Sequence, residues 1–202
     1  MEKEIAKDYY IDVFPVTNRQ YQEFINERKD YNVPYVEQGS AKPYNWNKEK
    51  RVFPEGKGNH PVTLVSYEDV EAFCKWRSEK EGEKYRLPDE YEWEKAARGN
   101  DGWVYPWGNE FDKSKCNTAE SGIGGTTEVT KYPDGASPYN CQDMTGNVCE
   151  WTDSWYDEKK NTKVLRGGSW LNDLFNARCA VRSRYVPVLR SYLVGFRCAR
   201  TL

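Results

Sequence analysis

Lys163-Val-Leu-Arg-Gly-Gly-Ser-Trp170 and Val194-Gly-Phe-Arg-Cys198 each carry a short apolar, strand-like run. Between them lies Leu171-Asn-Asp-Leu-Phe-Asn-Ala-Arg-Cys-Ala-Val-Arg-Ser-Arg-Tyr-Val-Pro-Val-Leu-Arg-Ser-Tyr-Leu193. In this insert Leu174, Phe175, Tyr185, Val186, Val188, Leu189, Tyr192 and Leu193 follow neither the two-residue period of a strand nor the 3.6-residue period of a helix. They interrupt a frame of Asn176-Ala-Arg-Cys-Ala-Val-Arg182, Arg184, Pro187 and Arg190. The segment therefore reads as irregular chain held at both ends by strands. Its apolar side chains are either an exposed cluster on a rigid frame or ordinary core.

Regular structure is sparse upstream. Tyr9, Ile11 and Val13 alternate with polar neighbours and predict a strand. Thr17-Asn-Arg-Gln20 is a capping box, followed by Tyr21, Phe24 and Ile25 on one helical face. Residues 29–58 read as a long loop with Pro34, Pro43 and Pro54, and Val62–Val65 as a short strand. Ser66 caps a helix carrying Val70, Phe73, Cys74 and Arg77, and Pro88 opens a third helix that ends at Gly99. From 100 to 162 turn pairs such as Asp101-Gly102 and Asp134-Gly135 replace periodicity. A stretch so long needs a metal ion, aromatic packing or a functional reason to hold it.

Composition narrows the classes. A chain of 202 residues with eight Trp and fifteen Tyr makes one domain, 1–202, and cannot be disordered. No apolar run reaches membrane-spanning length. Met1 to Asp8 is charged and lacks a signal core, so a cytoplasmic place, or a virion or cell surface reached by another route, is expected. No Asp or Glu follows Asp173, whereas Arg178, Arg182, Arg184, Arg190, Arg197 and Arg200 do. With no lysine among them, nucleic acid is a poor fit, and arginines paired with upstream carboxylates fit better. The expectation is that Arg178, Arg182 and Arg197 are buried. The one histidine, His60, precedes Pro61 and reads as a turn residue; no triad or His-rich metal site can be assembled. Six cysteines form no CxxC pair, which argues against a zinc knuckle.

Phe14-Pro-Val-Thr-Asn18, His60-Pro-Val62, Arg86-Leu-Pro-Asp-Glu-Tyr-Glu-Trp93, Ala96-Ala-Arg-Gly99, Tyr105-Pro-Trp-Gly-Asn109, Gly146-Asn-Val-Cys-Glu-Trp151, Arg166-Gly-Gly-Ser-Trp170 and Gly195-Phe-Arg197 occur in this order. Together they resemble the formylglycine-generating-enzyme (sulfatase-modifying factor) family over nearly the whole chain. The resemblance implies an α+β, C-type-lectin-like fold, loop-rich, with a small antiparallel sheet and flanking helices.

Its oxidase activity is not expected here. That chemistry uses two copper-binding cysteines after Gly-Gly-Ser; the first position is Asn172, and Asp173 to Ala177 contain none. No copper is therefore expected, and a branch with a histidine-ligated iron is unmatched too. The resemblance further implies calcium at Asn147, Glu150 and the carbonyl of Val148, with Asn117 opening a second site. Hydrogen bonding of those side chains to turn amides is the alternative. It also implies a disulfide between Cys74 and Cys179, against six free thiols, while Cys198 matches a disulfide position with no evident partner.

Residues 171–193 contain no Lys, Glu, Gln, Met or Trp, the five amino acids that no codon ending in C encodes. Adenine-targeted mutagenesis of AAC codons leaves that mark, as in the variable proteins of diversity-generating retroelements, which the chain resembles most. This resemblance implies a hypervariable, non-catalytic surface for a protein or glycan target. It comprises Leu171, Asp173, Leu174, Phe175, Ser183, Tyr185, Val186, Val188, Leu189, Ser191, Tyr192 and Leu193, on a monomer. A diverged oxidase or pseudoenzyme is the alternative. A calcium-dependent lectin lacks its Glu-Pro-Asn or Gln-Pro-Asp motif.

Overall fold

The computed structural model describes residue 5, residues 8–37 and residues 39–202. Most of the charged segment Met1 to Asp8 lies outside the described residues. Local signals produce the first elements as expected. Strand β1 is Tyr9–Ile11. Helix α1, Asn18–Glu27, opens on the Thr17–Gln20 capping box and buries Tyr21, Phe24 and Ile25. Helix α2, Tyr67–Glu81, opens on a box of Ser66 and Asp69 and ends at Gly82 in the left-handed region. Strand β2 is Tyr85–Arg86. Helix α3, Glu90–Arg98, is capped by Asp89, so Pro88 lies just before the cap rather than inside the first turn. The remaining strands are β3 (Cys149–Trp155), β4 (Lys163–Arg166), β5 (Ser183–Tyr185), β6 (Val194–Gly195) and β7 (Ala199–Thr201).

These strands make two small sheets rather than one. An antiparallel sheet has the order β1-β7-β2, and a four-stranded sheet the order β5-β4-β3-β6, in which β3 and β6 run parallel. Of the apolar run 194–198 only Val194–Gly195 is strand: Arg197 turns inward to Glu150, and β7 begins just after Cys198 in the other sheet. Val62–Val65 is not a strand. Leu64 sits at φ 61°, which breaks any ladder, and the segment bonds instead to Val16 O and Ser191 O.

The main core joins α1, α2 and the four-stranded sheet. Tyr21 stacks on Phe73 at 5.5 Å, Phe73 meets Phe196 edge-on at 5.3 Å, and Trp151 is fully buried beside Leu165. Trp93, Ala97, Met144 and Cys179 form a smaller cluster. The long turn region after Gly99 is held partly by aromatic packing, with Tyr105 stacked on Trp107 at 5.5 Å and edge-on to Phe111 at 5.4 Å. It is held partly by close backbone approach. Gly146, at φ 83°, lies where a Cβ would collide with Asn117 O, so no other residue fits there.

Candidate functional site

The 171–193 segment is fixed through its backbone and its arginines. Leu174 N donates to Glu120 Oε1 at 2.9 Å, and Leu174 O accepts from Tyr105 Oη at 3.1 Å. Pro187 O accepts from Tyr67 N, and Ser191 O from Leu64 N. Arg182 forks onto both oxygens of Glu90 at 2.6 and 3.0 Å, and Arg190 reaches Asp69 at 2.6 Å. Arg166, 1% exposed, bonds Glu94 and the carbonyls of Cys179 and Val181. Upstream carboxylates do pair with the tail arginines, but not all of these are buried. Arg178 is exposed and donates to Phe175 O, with no carboxylate partner among the described residues, and Arg182 is 39% exposed. Arg197 is buried, together with Arg166, which the spacing of the tail arginines did not reveal.

The side chains on that frame face outward. Leu171, Asp173, Phe175, Ser183, Tyr185, Val186 and Val188 are exposed, Phe175 to 62% and Val188 to 81%. Leu174, Leu189, Ser191, Tyr192 and Leu193 are half-buried, and none of the twelve is buried. Tyr192 is steadied by stacking on Tyr44 at 5.6 Å and tilting against Trp170 at 6.1 Å. Ser183, Tyr185 and Leu193 come together around a cavity of about 150 Å³ with Asn172, above Gly167 and Gly168. Asn172 and Tyr44 were not in the expected set; Tyr44 arrives from a distant loop and has no local signal.

The candidate metal ligands are engaged elsewhere. Glu150 accepts from Arg197 Nε and Nη2, both at 2.7 Å, and from Trp93 Nε1 at 2.8 Å. Asn147 Oδ1 accepts from Thr127 N and Asn117 Nδ2, and Asn117 Oδ1 accepts from Ser121 Oγ. Among the described residues no group of three or more His, Cys, Asp or Glu could hold a metal. With its carboxylate neutralised and its amides spent on turns, this donor set does not fit calcium. Beside them lies Asp143, which no sequence motif marks; burial pushes its carboxyl up to about 7 although Asn147 donates to it at 2.8 Å.

The cysteines correct the disulfide expectation. Cys74 faces Cys198, Sγ to Sγ 3.7 Å, in the main core, while Cys179 belongs to the smaller cluster, so Cys74–Cys179 is not a possible bridge. All six thiols are free. Cys149 lines the cavity 3.8 Å from Asn172 Oδ1, and burial, with the Glu150 charge, pushes its thiol up to about 12.

Comparison with known proteins agrees with this architecture. The inactive C-alpha-formylglycine-generating enzyme 2 of Bos taurus is 34% identical over 240 residues, covering 96% of this chain and 77% of the bovine protein. The structure of PvdO from Pseudomonas aeruginosa superposes with a TM-score of 0.80 at 25% identity, over 96% of this chain and 80% of PvdO. Treponema denticola variable protein 1 superposes at 0.78 and 23% identity, over 96% and 84%, which shows a shared fold. The sulfatase-modifying factor enzyme 1-like domain matches residues 1–202. The chain is therefore a member of the formylglycine-generating, sulfatase-modifying factor family.

Proposed function

We propose that this chain is a non-catalytic binding protein that holds a protein or glycan target through the 171–193 surface, whose side chains a diversity-generating retroelement varies. The observation that carries this reading is the separation of roles. Twelve side chains point outward or sit half-buried, while the backbone beneath them is tied down by Glu120, Tyr105, Tyr67 and three ion-paired arginines. A rigid frame with exposed aromatic and aliphatic anchors lowers the ordering cost of binding. The name of the Treponema variable protein of the same fold is in keeping with it.

Copper oxidase chemistry needs paired thiolates. Asn172 spends its side-chain oxygen on Ser169 N and Oγ, and the neighbouring Cys149 is held as a thiol. Calcium binding by Asn117, Asn147, Val148 and Glu150 is not part of the proposal, because the side-chain oxygens of Asn117, Asn147 and Glu150 already accept hydrogen bonds within the fold. No helix among the described residues is long and apolar enough to cross a membrane. The test pairs two measurements. The protein should leave a sulfatase-type cysteine peptide unconverted by mass spectrometry, with copper and oxygen supplied. Replacing Phe175, Tyr185, Val186 and Val188 with Ser or Asn should abolish capture of its target. Turnover, or capture that survives these changes, would overturn the reading.

A further inference from the structure

We propose that β5 is a docking edge, at which an extended segment of a partner protein adds as a further strand with alternating apolar and acidic side chains. This rests on the display reading above and specifies the partner's chemistry. Strand β5 is the outer strand of its sheet; β4 occupies one side, and among the described residues no other backbone pairs with it. All three of its residues are exposed. Such an edge offers unpaired N–H and C=O groups to any extended chain, whatever that chain's side chains.

The two faces of β5 differ in chemistry. Ser183 and Tyr185 line the 150 Å³ cavity with Leu165 and Leu193 and with Arg166 and Arg182, whose charges Glu94 and Glu90 already answer, so an apolar group about as large as a benzene ring has room there and meets no unpaired charge. Arg184 lies on the other face, its guanidinium 4.6 Å from the centre of the Tyr156 ring beside that of Arg182 at 4.7 Å. Arg182 is neutralised by Glu90, whereas Arg184 has no carboxylate partner among the described residues. Side chains alternate along a strand, so an added chain presents every second residue to the cavity and the others to Arg184. The first set fits as apolar, the second as Asp or Glu. A second copy of this chain is disfavoured at the edge, because self-pairing would bring the unneutralised Arg184 against its own counterpart.

The probe is a phage-displayed library of random linear peptides selected on the intact chain, with the enriched peptides then synthesised. Enriched sequences should alternate acidic and apolar residues, and Arg184→Glu should invert the charge preference toward Lys and Arg. N-methylation of alternate peptide amides should weaken binding about tenfold. Peptides without the two-residue period, or indifferent to Arg184→Glu and to N-methylation, overturn the docking edge. Phe175→Ser and Val188→Ser separate this from the display reading. Peptides lost with those variants but indifferent to changes in β5 leave display standing and the edge wrong. Peptides indifferent to every change between 171 and 193, or no enrichment at all, overturn the docking edge, whereas the display reading falls only with the capture experiment above. Melting curves establish that each variant is folded.

Discussion

Arg197 uses all five of its N–H donors inside the protein, on Glu150 twice and on the carbonyls of Asp12, Val13 and Gln142. A fully buried guanidinium is tolerated only with such complete pairing, and among the described residues Glu150 is the carboxylate that forms an ion pair with it. Glu150→Gln should therefore cost about 3–5 kcal/mol, read by chemical denaturation. A cost near zero would show that the pair is not what Glu150 contributes. Neighbouring Asp143 sets a pH dependence of opposite sense to the usual carboxylate. Its folded pKa, about 7, lies above the unfolded value of ~4, so the folded state binds the proton more tightly. That contribution is complete below pH ~4 and is lost as pH rises through about 7. Asp143→Asn should flatten this part of the stability profile and raise stability at pH 8 by on the order of 4 kcal/mol. An unchanged profile in denaturant titrations from pH 4 to 8 would contradict the assignment. The Gly146–Trp151 motif was legible in the sequence, but the partner of its glutamate was not, because Arg197 reaches it only after the chain has closed between the two sheets.

Elements with local causes were readable and those with distant causes were not. Thr17–Gln20 and Ser66 fixed the starts of α1 and α2, since a cap and the apolar face behind it lie within a few residues. Strand β3 went unread because its pairing with β4 and β6 is set from outside, and Leu64 turns left-handed to meet Ser191 O. The turn region between α3 and β3 shows the same division. Its length called for a stabiliser, and it is held by aromatic stacking together with the side-chain amides of Asn117 and Asn147, which bond to turn backbone such as Gly125 O and Thr127 N. With no ion required in that arrangement, chelator should leave the melting temperature unchanged. Calcium added afterwards should not raise it, as it would for a ligand bound only by the folded state. A calcium-dependent shift would return Asn147 and Glu150 to the role of ligands.

At the scale of the molecule, the proposed display reading assigns stability and recognition to largely different side chains. The aromatic core around Phe73, Trp151 and Phe196 and the arginines 166 and 197 are buried, whereas none of the twelve display side chains is. On the proposed display reading, the absence of Lys, Glu, Gln, Met and Trp from 171–193 marks a surface free to vary, and the exposed insert between β4 and β6 is where such freedom would cost the fold least. Surface substitutions usually stay within about 0.5 kcal/mol each, whereas truncating a core aromatic costs about 3–5 kcal/mol. Changing Phe175, Tyr185, Val186 and Val188 together to Ser or Asn should then move the unfolding free energy by no more than about 2 kcal/mol, with the denaturant slope unchanged. Phe73→Ala or Trp151→Ala alone should exceed that. Tyr192 lies outside the quadruple change because its stacking on Tyr44 and Trp170 gives it a share in holding the frame. If the quadruple variant unfolds while either core truncation is tolerated, the exposed cluster is part of the core and the surface cannot be one that evolution rewrites freely.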